Sequence, residues 1–252
     1  MRRMTSLPLS EENTTIASCF LSVIIPMYNE SDRILPTLEK FIDYLDKKNP
    51  LYEIILVDDF STDSTLDVVR QYAHKQSRVV VIKNRFGKGK GGAVKTGALY
   101  SKGEHVLFSD ADASTPVYEL DNLFQKIQNG YAVVIASRAL ASSHVLVHQP
   151  FYREWMGKTF NFIVQNLLVP GIHDTQCGFK LFTKGAAQNL FAKQQIYGFC
   201  FDVEILYLAR KNGYKIKEVP VDWINSSDSR IRLFSDSAKM FLDLLKIRFR
   251  KY

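Results

Sequence analysis

Across its 252 residues the chain is poor in cysteine, with only Cys19, Cys177 and Cys200. Three widely spaced cysteines, with no CxxC pair, exclude a disulfide framework and a cysteine zinc site, and fit a reducing compartment. Among the five histidines, His105, His144, His148 and His173 show neither metal-ligand nor triad spacing. No apolar run approaches the ~20 residues that span a bilayer. The opening MRRMTSLPLSEENTT is basic at its tip but has no apolar stretch behind it, so it does not read as a secretory leader. Internal repeats are missing, as are linkers rich in proline, glycine or serine, which points to one domain. A composition 46% hydrophobic and 23% charged excludes a disordered or fibrous chain.

Charge excess is also scarce outside one place. The net charge is +7, yet residues 230–252 hold seven basic and two acidic residues, a net of +5. This distribution argues against a nucleic-acid coat and for one local anionic partner.

What is present is a strand–helix alternation from Leu21. LSVIIPMY reads as a buried strand ended by Pro26, which lacks a ladder donor. Residues 31–48 have helical periodicity, and YEIILVDD is a second strand. Asp63 or Ser64 then caps a helix, with Ser64 and Asp67 spaced as a capping box. RVVVIKN, EHVLFSDAD and YAVVIASR are further strands. A helix near residues 93–101 follows the third strand, and Thr115-Pro116 reads as a cap and first-turn proline after the fourth. The expected fold is α/β, a mostly parallel sheet with helices on both faces. Such sheets bind ligands at the carboxyl ends of their strands. Tyr28-Asn29-Glu30, Asp58-Asp59, Asp110-Ala-Asp112 and Ser137-Arg138 all fall there.

Two acidic clusters at such ends suit a cation. Asp110 and Asp112, at i and i+2 of a strand, converge on one side. Their oxygens suit a hard divalent ion, Mg²⁺ or Mn²⁺, which keeps positions open for phosphate. The segment NRFGKGKGGAVKTG adds an anion site built from backbone N–H groups, a helix N-terminus, Lys88 and Lys90. Gly87, Gly89 and Gly92 also satisfy the dinucleotide fingerprint, with an acid ~20 residues on. That reading, an NAD-dependent oxidoreductase, is the rival from another enzyme class. Against it, the loop follows the third strand rather than the first, two lysines crowd it, and the acid belongs to a pair.

In order along the chain, VIIPMYNE, ILVDDFSTDST, NRFGKGKGGAVKTG, FSDADASTP, ASR and DTQCGFKLF resemble glycosyltransferase family 2, with its GT-A (Rossmann-like) fold. The loop combined with DTQCGFK is similar, more narrowly, to the dolichyl-phosphate or polyprenyl-phosphate β-glucosyltransferase branch. The resemblance implies inverting transfer of glucose from UDP-glucose to dolichyl phosphate, serving protein N-glycosylation; GDP-mannose is the alternative donor. It places Pro26, Tyr28 and Glu30 along the nucleotide pocket and Asp58 on the uracil or ribose. Asp110 and Asp112 become a DxD metal site, with Ser114 where a mannosyltransferase relative has a metal-binding glutamine. Arg138 and Arg153 are implied to bind the acceptor phosphate, and Asp174, Gln176 and Lys180 to lie near the donor sugar, Asp174 being the candidate base. Arg230 and Arg232 fall in a segment that closes over the donor. A location at the cytosolic face of the endoplasmic reticulum follows, or the inner face of the cell membrane in a prokaryote.

Such an enzyme must reach a lipid carrier. Residues 1–20 read as a mobile segment, 21–233 as the catalytic domain and 234–252 as a basic amphipathic helix. In the latter Phe241, Leu242, Leu245 and Phe249 form an apolar stripe, with Lys239, Asp243, Lys246 and Arg250 on another face. A second amphipathic stretch carries Tyr152, Trp155, Met156, Phe160, Ile163, Val164 and Leu167. Both suit a membrane interface through their apolar stripes and basic charge; the alternative is that they pack on the domain core or on a second subunit, which leaves an oligomer possible.

Overall fold

A computed structural model describes residues 19–48, 51–147, 151–225 and 233–252, apart from the side chains of 152–154 and 233–238. Arg230 and Arg232 therefore lie outside the described residues, as do residues 1–18 of the expected mobile segment. Its last two residues are tied down: Phe20 donates its N–H to Leu51 O at 2.8 Å and stacks on Phe124.

Seven strands make the main sheet, in the order β3-β2-β1-β4-β7-β5-β8. They are β1 (Leu21–Met27), β2 (Tyr52–Asp58), β3 (Val79–Lys83), β4 (His105–Ser109), β5 (Val133–Ser137), β7 (Phe179–Thr183) and β8 (Ile216–Pro220). All pairings are parallel except those of β7, which runs antiparallel to both β4 and β5. A separate parallel pair joins β6 (His144–Val147) to β9 (Asp222–Ile224). Eight α-helices accompany them among the described residues: α1 (Ile34–Lys48), α2 (Thr65–Lys75), α3 (Lys90–Tyr100), α4 (Leu120–Gln128), α5 (Phe151–Leu167), α6 (Lys184–Lys193), α7 (Phe201–Lys211) and α8 (Leu233–Phe249).

Side-chain alternation sorts the strands onto two cores. Ile24, Ile55, Phe108 and Ile135 face a cluster with residues of α3, α6, α7 and α8. Val23, Ile25, Leu107 and Val134 face the other, with residues of α1 and α4. Burial on both faces is why these strands read as unbroken apolar runs.

Several local expectations are corrected. Pro26 does not end β1; it pairs with Val57 inside the strand. Met27 O turns toward β2, accepting Asp59 N–H, so alternation aims Pro26 toward β4, whose ladder has already ended at Ile24↔Phe108. Of the two residues expected at the start of α2, Asp63 serves it, accepting the Thr65 N–H at 3.0 Å, while the Ser64 side chain makes no capping hydrogen bond. Thr115 makes no cap; its hydroxyl is buried against Cys177 Sγ, and a 3₁₀ turn at Val117–Glu119 precedes α4. The first helix begins at Ile34, after a turn over residues 31–33.

α3 starts at Lys90, three residues before expectation, through two glycines that lower helix propensity. Tertiary packing overrides propensity here. A Cβ at Gly97 would lie 2.4 Å from Ile24 Cγ2, and one at Gly91 2.5 Å from Phe201 Cβ. Only a bare backbone brings this helix so close to the sheet and to α7, which sets the height of the loop before it.

Candidate active site

A cavity of about 680 Å³ opens beyond the carboxyl ends of β1, β2 and β4. Pro26, Tyr28, Glu30, Lys88, Lys90, Asp110, Asp112, Arg138 and Gln176 all line it, so nine of the residues singled out by sequence meet at one place. Three residues around it hold positive φ without being glycine: Asn29 (56°), Phe60 (61°) and Ala113 (48°). They follow β1, β2 and β4. Asn tolerates this region and ties its strand end to the next by accepting Thr62 N–H at 2.8 Å. For phenylalanine and alanine the conformation costs ~1–2 kcal/mol each, held in place by the surrounding fold.

The acidic pair is presented by a turn rather than by strand alternation. β4 stops at Ser109, and Asp110 to Ala113 bend over the sheet edge. Asp110 N–H is held by Gly178 O at 2.9 Å. A Cβ at residue 178 would stand 1.9 Å from Asp110 Oδ2, so the glycine of DTQCGFK is a cradle for this carboxylate. Asp112 Oδ1 accepts the Ser114 N–H at 3.0 Å, which gives Ser114 an orienting part through its backbone. Lys90 Nζ lies 2.7 Å from Asp110 Oδ1. Burial works against that ammonium, but the carboxylates of Asp110, Asp202 and Asp112 raise its pKa. Among the described residues no group of three or more His, Cys, Asp or Glu forms a metal cage. Two carboxylates opening on a cavity nevertheless fit a hard divalent ion that takes its other ligands from substrate and water.

The glycine–lysine loop departs from expectation in one respect. Its N–H groups are partly spoken for: both Asp59 oxygens accept Gly89 N–H, at 3.0 and 2.9 Å, and Tyr197 O accepts Gly92 N–H at 3.2 Å. Gly89 has φ 135°, and a Cβ there would sit 2.4 Å from Tyr197 O. The loop is thus clamped between Asp59 and residue 197, and its anion-binding capacity rests on the ammonium groups. Lys88 Nζ lies 4.8 Å above the Tyr28 ring. The backbone arrangement does not offer the pyrophosphate cradle of an NAD site.

Among the described residues, three expected site residues do not line the cavity. Asp58 is buried, with Oδ1 accepting Ser61 N–H at 3.2 Å; its neighbour Asp59 lines the cavity instead. Lys180 is 1% exposed and ion-paired to Asp202 Oδ1 at 2.5 Å, also donating to Cys177 O. Asp174 is equally buried and faces Arg138, accepting from Nε at 2.7 Å, Nη2 at 2.8 Å and the backbone N–H at 2.9 Å. Burial raises the Asp174 carboxyl, but Arg138 outweighs it and holds the group below the usual carboxylate value. A carboxylate so engaged is a poor proton acceptor, which corrects the reading of Asp174 as a base. It serves to aim Arg138, whose guanidinium also lies 5.2 Å above the Trp223 ring. Arg153 falls on α5, its side chain outside the described residues.

Sequence reasoning missed Asp202 and Trp223, and gave the ligand contact to Asp58 rather than Asp59; Asp59, Asp202 and Trp223 all line the cavity. The Asp58-Asp59 cluster was visible, but strand alternation could not say which of the two would face the ligand.

The other wall is apolar: Trp155, Met156, Phe160 and Ile163 of α5, Phe199, and Met240 and Phe241 of α8. One cavity therefore joins a charged floor to a hydrophobic side.

A sequence profile described as glycosyl transferase family 2 matches residues 22–191, more than half of the chain. The chain belongs to glycosyl transferase family 2. It is 41% identical over 254 residues to the dolichyl-phosphate β-glucosyltransferase of Dictyostelium discoideum, covering 96% of this chain and 78% of that protein. The human enzyme of the same name is 36% identical over 246 residues (91% and 75%), and that of Saccharomyces cerevisiae 35% over 261 (96% and 78%). Among solved structures, the glucosyl-3-phosphoglycerate synthase of Mycobacterium tuberculosis in complex with Mn²⁺, UDP and glucosyl-3-phosphoglycerate aligns with a TM-score of 0.71 at 18% identity, over 94% of this chain and 82% of that one. The mannosyl-3-phosphoglycerate synthase of Rubrobacter xylanophilus aligns at 0.66 and 17%, over 91% and 72%. At these identities the structural likeness establishes the fold: this family 2 transferase has the GT-A architecture. Membership also removes the oxidoreductase reading.

Proposed function

We propose that this transferase moves glucose from UDP-glucose to the phosphate of dolichyl phosphate, producing dolichyl β-D-glucosyl phosphate for N-glycosylation. The observation that carries the reading is the two-sided cavity, acidic and basic on its floor and apolar along α5 and α8. Such a cavity suits a polar sugar nucleotide at one end and a prenyl chain at the other. The relatives bearing this activity in their names share 35–41% of residues over 90% or more of the chain.

Asp110 and Asp112 would hold Mg²⁺ or Mn²⁺. Such an ion, when bound, neutralises charge gathering on a departing diphosphate. Lys88 and Lys90 bring ammonium groups to the same end and do the same work electrostatically. A phosphate oxygen of the acceptor attacks the anomeric carbon from the face opposite UDP. The new C–O bond forms as the bond to the β-phosphate oxygen breaks, its electron pair leaves with UDP, and configuration inverts from α to β. The acceptor is already an anion, so positioning matters more than proton removal. Arg138 is suited to grip it, since a guanidinium binds phosphate oxygens with paired donors and Asp174 fixes its plane.

The carrier is a membrane lipid, and the reading places the enzyme at the cytosolic face of the endoplasmic reticulum. Among the described residues no helix is long and apolar enough to cross a membrane. The tail helix α8 instead has two apolar faces. Met240, Leu244 and Ile247 are buried in the core, while Phe241, Leu242, Leu245 and Phe249 are exposed beside Lys246, Arg248 and Arg250. On α5, Val164 is buried, but Phe151, Trp155 and Phe162 are exposed. An interfacial role rests on those outward residues and the basic charge next to them. Removing α8 would tear the core, so the test is the double substitution Leu242→Ser and Phe249→Ser. Each inserted side chain stabilises binding by about 1–2 kcal/mol. Sedimentation with anionic liposomes is expected to drop by about thirtyfold or more in partition coefficient. Unchanged sedimentation would remove the membrane face from the proposal.

The donor is tested by incubating the protein with dolichyl phosphate, Mg²⁺ and radiolabelled UDP-glucose or GDP-mannose in parallel. Label entering the organic phase from UDP-glucose alone is expected. Label from GDP-mannose alone would reassign the donor, and none from either would reject the transfer.

A further inference from the structure

The glycine–lysine loop carries the ammonium groups of the site, yet its position is set from behind. Residues 194–197, between α6 and α7, wrap the first turn of α3. Gln194 Nε2 donates to Gly91 O at 2.9 Å, Lys95 Nζ donates to Gln194 O at 2.7 Å, and Tyr197 O accepts the Gly92 N–H. Close approach fixes this fit, since a Cβ at Gly89 would meet Tyr197 O and one at Gly91 would stand 2.8 Å from Ile196 O.

That wrapping segment is in turn held by one buried carboxylate. Glu204, on α7, is fully buried and does not line the cavity. Both its oxygens accept Gln195 N–H at 3.0 Å, and Oε2 accepts Ile196 N–H at 2.8 Å. The third donor comes from the far side: Tyr252 O–H reaches Oε1 at 2.7 Å. Burial and then the carboxylate itself raise the Tyr252 phenol, so it keeps the proton it donates. Tyr252 follows α8, the helix that supplies Met240 and Phe241 to the apolar wall.

We propose that Glu204 and Tyr252 are positioning residues for the diphosphate end of the site, locking residues 194–197 against the loop that presents Lys88 and Lys90. The chain of contacts runs from the Tyr252 hydroxyl through Glu204 and the peptide N–H groups of 195 and 196 to Tyr197 O, and from there to Gly89 and Gly92. It ties the helix on the lipid side of the cavity to the loop on the nucleotide side. The assignment rests on the reading that a nucleotide diphosphate binds at Lys88 and Lys90.

The experiment uses the full chain with Tyr252→Phe, which removes a single hydroxyl. UDP binding is measured by calorimetry, and steady-state kinetics are run with UDP-glucose and dolichyl phosphate. Loss of one hydrogen bond to a buried carboxylate is expected to raise the Kd for UDP and the KM for UDP-glucose about fivefold or more. The KM for dolichyl phosphate should stay within about twofold of the parent, since the acceptor's contacts are not made through residues 194–197, while kcat should fall because Lys88 and Lys90 also neutralise the departing diphosphate. Glu204→Gln, if it folds, should shift the same two constants further in the same direction. Unchanged UDP affinity in Tyr252→Phe overturns the inference. Equal weakening toward donor and acceptor also overturns it, because that marks general loosening. Failure of the parent protein to bind UDP at all is a different result, and it defeats the donor reading itself.

Discussion

Asp112→Asn should lower glucosyl transfer by about a thousandfold or more while leaving the fold intact. The substitution is clean because Asp112 bonds the Ser114 N–H through Oδ1, which the amide oxygen of asparagine reproduces. What disappears is the negative charge that would hold a divalent ion. Asp110→Asn is less decisive, since Asp110 is also the ion partner of Lys90 and its loss leaves that ammonium unbalanced. Two readouts check the prediction: turnover under saturating substrates, and Mn²⁺ binding in the presence of UDP, both compared at equal thermal midpoint. A variant with turnover near the parent's would remove Asp112 from the metal site.

The largest effect on stability is expected at Asp174. Asp174→Ala leaves Arg138 without the carboxylate that takes two of its side-chain donors and its backbone N–H. Breaking a fully buried pair by removing one partner costs about 3–5 kcal/mol, and the partial exposure of Arg138 to the cavity brings the expected cost to the lower end of that range. The effect has a pH signature whose sign follows from the lowered carboxyl pKa. A group with a depressed folded-state pKa contributes fully above its unfolded value, ~4, and loses that contribution as pH falls through the folded value. Urea unfolding of parent and variant should therefore differ most at neutral pH, and the gap should narrow below about pH 4. A gap that is small at neutral pH, or constant into acid, would show that the pair does not hold Arg138 in place. Transfer by the milder Asp174→Asn should suffer through the KM for dolichyl phosphate. Loss confined to kcat with an altered pH profile would instead restore Asp174 as a base.

The parts of the site that were legible in advance share a feature: each is short-range. Asp110 and Asp112 are two residues apart, Lys88 and Lys90 sit in one loop, and Tyr28 and Glu30 end one strand. Even so, the geometry behind the pattern differed. The DxD pair is aimed by a turn and a glycine cradle 68 positions downstream, at Gly178. Asp59 and Asp58 could not be told apart by pattern. Asp59 became the loop clamp because Gly89 N–H arrives from another strand's connection. Lys180 read as a donor-sugar contact and proved to be a buried partner of Asp202, a residue of α7 that no motif marked. α8 read as a single amphipathic stripe and has two apolar faces, one buried in a core that the sequence around it does not display.

Alternating apolar runs and helical periods by themselves determined the layered α/β architecture, and hence that chemistry would gather at the carboxyl ends of β1, β2 and β4. That follows from backbone periodicity, which is local. Only the tertiary structure decided that β7 enters the sheet antiparallel between β4 and β5, that Asp174 serves Arg138, and that Glu204 and Tyr252 stand behind the lysine loop. Apart from the short link between Glu204 and Ile196, those choices depend on contacts between residues 36 or more positions apart, where packing and the pairing of buried charges decide and neither leaves a period in the chain.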